Sequence, residues 1–125
     1  MLKPCLLAFV EDKDFRSIIE TVVRYSGAEA YFAAEGEQLS QLAKTFAPFM
    51  VLVDLSELDA EWIFKHISTI KDMNPKLPIF AFLEPDAPQS AQDRAEHYGC
   101  TAVFPKEKLF EQLPGLVTKA LSGGF

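Results

Sequence analysis

One carboxylate, a pair of further acids and a lysine are the residues whose types and spacing could do chemistry in this chain. Asp54 closes the apolar run Phe49 to Val53 and is followed by Leu55, Ser56 and Glu57. Glu11 and Asp12 follow another apolar run, Cys5 to Val10, and Lys106 comes soon after a short one, Ala102 to Phe104. Three acids brought to one edge repel each other and need a cation or a shared proton. Mg2+ suits such a set, since it takes oxygen donors, uses one or two carboxylates and keeps positions for water or phosphate. A lysine reaching the same edge adds a point charge on a long stem. A carboxylate nucleophile, a divalent ion and a lysine are the parts of a phosphoryl-acceptor site, in which cations neutralise the incoming charge.

The elements that must position these residues can be read from the apolar pattern. Runs apolar on both faces, such as the one ending in Asp54, read as buried strands of a parallel sheet. Cys5 to Val10 is strand one, and Asp14 is placed to cap the helix after it, with Phe15, Ile18, Ile19, Val22 and Val23 on one face. Gly27 stops that helix. Ala28 to Ala33 is a second strand, less apolar and so nearer an edge. Leu39, Leu42, Ala43 and Phe46 mark a short second helix that Pro48 ends.

After strand three, Ser56 or Asp59 can cap a third helix, reached through Leu58, with Ile63, Ile67 and Ile70 inward and Trp62 at its margin. Pro78 opens strand four, and the stiff stretch Glu84 to Pro88 leads to a polar fourth helix, Gln89 to Tyr98. Ala102 to Phe104 is a short fifth strand. Leu116, Val117, Ala120 and Leu121 mark a last helix, with Pro114 expected in its first turn, because a mid-helix proline costs about 3 kcal/mol. Five β-α repeats predict an α/β, doubly wound (βα)5 sandwich of flavodoxin-like type, its parallel five-stranded sheet ordered 2-1-3-4-5. That order sets strand one beside strand three and brings Glu11 and Asp12 to the edge that carries Asp54.

Composition narrows the class. A chain of 125 residues is one domain, here read as 1–121 with 122–125 as a tail or the start of a linker. A formal net charge of −6 argues against nucleic acid or an anionic membrane as partner. No apolar run approaches the ~20 residues of a membrane span. Cys5 and Cys100 have no metal-type spacing and read as reduced, buried thiols of a cytoplasmic protein. His66 and His97 have no partner spacing for metal or nucleophilic work and read as surface or capping residues.

With Glu11 and Asp12 after strand one, Asp54 ending strand three and Lys106 after strand five, the chain resembles the response-regulator receiver domain, of chemotaxis-regulator-like type, over essentially its full length. The resemblance implies that Asp54 is the phosphoacceptor. It implies that Glu11, Asp12 and Asp54 hold Mg2+ directly or through water, with the backbone carbonyl of Ser56 completing the protein ligands, and that Lys106 pairs with phosphoryl oxygens.

Four positions depart from the receiver pattern. Receivers usually carry Ser or Thr at the end of strand four and a small residue next; here these are Leu83 and Glu84. Leu83 cannot hydrogen-bond a phosphoryl oxygen. A carboxylate about 5 Å from an aspartyl phosphate costs on the order of 3 kcal/mol per unit charge at an effective dielectric near 20, unless Glu84 turns out into water. Val103 stands where the family often has an aromatic residue, and Glu107 follows Lys106 where it usually has proline. Any magnesium site is therefore expected to be weak, or absent in a pseudo-receiver.

The expected function is that of an atypical, non-enzymatic receiver domain of a two-component phosphorelay, accepting a phosphoryl group on Asp54 and signalling through protein contacts. The alternative is a phosphorylation-independent pseudo-receiver adaptor. A flavodoxin-like flavin or nucleotide binder is more distant, since it needs a Gly- or Ser/Thr-rich phosphate loop where EDKDF stands. Expected partners are a histidine kinase or another signalling protein. A homodimer is possible through the face of helix four, strand five and helix five, with Gln89, Gln92, His97, Lys108 and Phe110 on offer.

Overall fold

The computed structural model describes residues 3–56 and 61–124. Strands and helices alternate throughout: β1 (Cys5–Phe9), α1 (Lys13–Tyr25), β2 (Glu29–Phe32), α2 (Gly36–Phe46), β3 (Met50–Asp54), α3 (Glu61–Met73), β4 (Ile79–Leu83), α4 (Gln89–His97), β5 (Ala102–Pro105) and α5 (Lys106–Leu121). The sheet runs β2-β1-β3-β4-β5 with every neighbouring pair parallel, as the repeat pattern predicts.

Alternation along the strands divides the core into two layers. Leu6, Ala8, Met50, Leu52, Phe80 and Phe82 pack with Phe15, Ile19 and Val23 of α1 and Leu109, Leu113 and Val117 of α5. Leu7, Phe9, Val51, Val53, Ile79, Ala81 and Leu83 pack on the opposite face with Leu39, Ile63, Ile67 and Ile70. Both faces of β3 and β4 are covered, which is why their sequences read as unbroken apolar runs. β2, at the edge, is the least buried of the first four strands. On α1 the structure keeps Phe15, Ile19 and Val23 inward but leaves Ile18 exposed. Gly27 takes φ 81, the left-handed value that ends a helix without a side-chain clash. Trp62 lies at the margin of α3 as expected, its ring edge-on to Phe9 at 5.4 Å.

Two local expectations are corrected. The N-cap of α1 is Asp12 and not Asp14, because the helix begins one residue before Asp14 and the Asp12 carboxylate meets its first free amides. α5 starts at Lys106 and runs through Pro114, which lies inside the helix rather than in its first turn. Leu109, Leu113, Val117 and Ala120 form one buried stripe spanning the proline. Each such leucine contributes roughly 1.5–3 kcal/mol on burial, so the stripe outweighs a proline penalty of about 3 kcal/mol. Leu58 and Asp59, expected to lead into and cap α3, lie outside the described residues.

Cys5 and Cys100 are free and buried. Burial pushes the Cys100 thiol up to about 12, with nearby Glu96 raising it further and Lys71 opposing. Among the described residues no helix is long and apolar enough to cross a membrane.

Candidate functional site

Strand register builds one rim. Phe9 is level with Val53, and Asp54 is level with Phe82, which is in turn level with Phe104. The turn after β1, the end of β3 and the turn after β5 therefore leave the sheet together. Residues 94 apart in sequence meet there: the Lys106 ammonium lies 3.4 Å from Oδ2 of Asp12.

Asp12 is engaged through both oxygens. Its Oδ1 accepts the amides of Asp14 at 2.9 Å and Phe15 at 3.2 Å, satisfying donors that a helix start leaves without partners. The Phe15 amide is the main cause that holds this carboxyl below the usual carboxylate value; partial desolvation opposes it, and the Asp14 amide and Lys106 add to it. Lys106 also sits 5.7 Å from the centre of the Phe15 ring, which stacks on Phe82 at 4.6 Å and on Phe110 at 3.9 Å. The ammonium thus rests on an aromatic base fixed in the core.

Asp54, half-buried at the strand end, accepts from Ser56 twice at Oδ1, once from the amide at 2.9 Å and once from the hydroxyl. Ser56 thus turns its hydroxyl and its amide to Asp54. Glu11 is exposed. Among the described residues no three of His, Cys, Asp and Glu gather as metal ligands. The convergence expected of Glu11, Asp12 and Asp54 is not formed by these side chains, because capping orients Asp12 towards α1 and the Ser56 turn holds Asp54. Mg2+ demands near-octahedral oxygen donors, and the arrangement of this donor set does not fit it.

At the other end of the rim, Leu83 is 8% exposed and belongs to the α2/α3 core layer together with Val103. Glu84, just past β4, is exposed, so water screens its charge. Glu107 is exposed in the first turn of α5. On the α4–β5–α5 face Gln89, His97 and Lys108 are exposed and Gln92 partly so. Phe110 leaves that group, because its ring packs on Phe15 in the α1 layer. His66 faces Ser40 Oγ at 3.1 Å, linking α3 to α2.

Two contributors escaped the sequence reading. Arg16 donates through Nε to the Val10 carbonyl and stacks over Phe32, pinning the turn that carries Glu11 and Asp12. The Ser56 hydroxyl was considered only as a helix cap. Arg16 stands one helical turn beyond Asp12, where a long side chain reaches back over the cap, but nothing in its type distinguishes it from a solvent-facing arginine.

Solved structures share this architecture. A response regulator from Hahella chejuensis superposes with a TM-score of 0.82 at 13% identity, covering 98% of each chain. One from Thermotoga maritima gives 0.79 at 15% identity, covering 97% of this chain and 99% of that one. A response regulator protein from Burkholderia multivorans gives 0.77 at 23% identity over 97% and 96%. No protein-family model and no curated protein sequence matches the chain. What is shared is the fold: the chain has the architecture of response-regulator receiver domains.

Proposed function

We propose that this chain is an atypical receiver domain that signals through protein–protein contacts, and that its output does not depend on a phosphoryl group at Asp54. Leu83 carries this reading. The β4-terminal position that would offer a hydroxyl to an incoming phosphoryl group holds an apolar side chain closed into the core. Val103 packs in the same layer, so the β5 position that faces this layer supplies no aromatic side chain to move with a hydroxyl. The partner is a signalling protein of two-component type, a histidine kinase among the choices. The α4–β5–α5 face, with Gln89, His97 and Lys108 exposed, is the surface offered to it or to a second copy. In the source cell, Asp54→Asn is expected to preserve partner capture and phenotype; loss of both sinks the reading.

A second reading keeps Asp54 as phosphoacceptor. It is favoured by one feature: among the described residues Asp54 Oδ2 accepts no hydrogen bond, and Lys106 lies on the same rim. Acetyl phosphate or beryllofluoride with Mg2+ would then shift the amide resonances around Asp54, and Asp54→Asn would abolish the shifts. An unchanged spectrum at millimolar Mg2+ removes it.

A further inference from the structure

We propose that Lys106 takes the cation's place at the rim: its ammonium latches Asp12, and the chain's own donors, not a divalent ion, complete the acidic turn. Both oxygens of Asp12 already have partners. Oδ1 of Asp12 receives two α1 amides and Oδ2 receives the Lys106 ammonium. The Val10 carbonyl, just before the acidic pair, accepts from Arg16. Asp54 Oδ1 is taken by Ser56.

The direction of these bonds matters as much as their number. Two amides at the start of α1 hold Oδ1 of Asp12, so the oxygen left for a metal is Oδ2, the one that Lys106 holds. Mg2+ sheds its water reluctantly and tolerates little distortion of its octahedron, so it is poorly placed to pull such a carboxylate away. Lysine needs no such geometry: it is a point charge on a flexible stem. Here the ammonium is positioned over the Phe15 ring, whose face attracts a cation. Because Lys106 opens α5 and Asp12 caps α1, the latch ties the β5–α5 turn to the β1–α1 turn.

The latch lies on the rim that the proposed function concerns, but its argument stands on the Asp12 and Lys106 contacts and not on that reading. The test is a titration of the intact chain with MgCl2 at constant ionic strength, following the amide resonances of Glu11 to Asp14, Asp54 to Ser56 and Lys106. The wild type is expected to show no saturable shift at millimolar Mg2+. Lys106→Met, which keeps the stem and frees Asp12 Oδ2, is expected to gain a saturable shift that is lost again when Asp12→Asn is added. A saturable shift in the wild type overturns the proposal whether or not the variants fold, and so does a folded Lys106→Met that stays silent. Should Lys106→Met fail to fold, Lys106→Gln replaces it with the same expected gain, and silence of that variant counts equally against the latch. Partner capture by Asp54→Asn reads the signalling role separately, so either idea can fail alone.

Discussion

The two ends of the rim are built from opposite materials. At the β1–α1 turn the chain keeps charge: Asp12, Lys106 and two helix amides satisfy one another within reach of water. At the ends of β4 and β5 it keeps apolar packing, setting Leu83 and Val103 in the core. The contrast separates two properties that a signalling rim can have. Near Asp54 the charges pair with one another, whereas at the ends of β4 and β5 the corresponding side chains belong to the hydrophobic core.

The largest test of this contrast acts on what both ends stand on. Phe82 is fully buried and stacks on Phe15, the ring beneath Lys106. Phe82→Ala is expected to cost about 3–5 kcal/mol in urea unfolding, and to release the Asp12–Lys106 pair with it. A cost below about 1 kcal/mol would mean that the aromatic base does not hold the latch.

Restoring a hydroxyl comes next. Leu83→Thr removes apolar volume from a closed layer and buries a new polar group, so it is expected to destabilise by about 2 kcal/mol or more. A neutral effect in the same assay would show that this end of the rim is loosely packed and could host a hydroxyl.

A smaller effect is expected at the charged end, where water screens the groups. Asp12 has a lowered pKa in the fold, so its contribution is present above its ordinary value of 3.8 and is lost as pH falls below that. Asp12→Asn should unfold more easily at neutral pH, by less than Leu83→Thr does, and should show a flatter stability profile between pH 5 and 2 as roughly marked by the carboxylate range. Identical acid profiles for variant and wild type would remove Asp12 from that role.

The last change leaves stability untouched. The layer that closes over Leu83 also buries Cys100, whose thiol is pushed up to about 12 by desolvation. Alkylation at neutral pH is therefore expected to spare Cys100 in the folded chain and to proceed once urea unfolds it, as mass spectrometry would read. Fast modification of the native protein would mark this layer as open.

Much of the architecture was legible because parallel, doubly covered strands leave unmistakable apolar runs and each helix shows its buried stripe. Ile63, Ile67 and Ile70 fall inward and Trp62 outward as their spacing requires. Legibility failed where a local rule met a tertiary one. Pro114 argued for a late helix start, yet the stripe from Leu109 to Ala120 keeps the helix whole. Phe110 falls on the α4–β5–α5 face by its place in the chain, yet its ring stacks on Phe15.

The amino-acid sequence by itself determined the strand order, the rim on which Asp12, Asp54 and Lys106 lie, and the apolar side chain of Leu83 at the end of β4. These follow from residue type and periodicity, which are local properties. Only the tertiary structure decided how those carboxylates are used. Asp12 accepts two amides of its own helix and the Lys106 ammonium, contacts that residue type alone does not specify. The bond from Lys106 to Asp12 joins residues distant in the chain, and it forms above the stacked rings of Phe15 and Phe82.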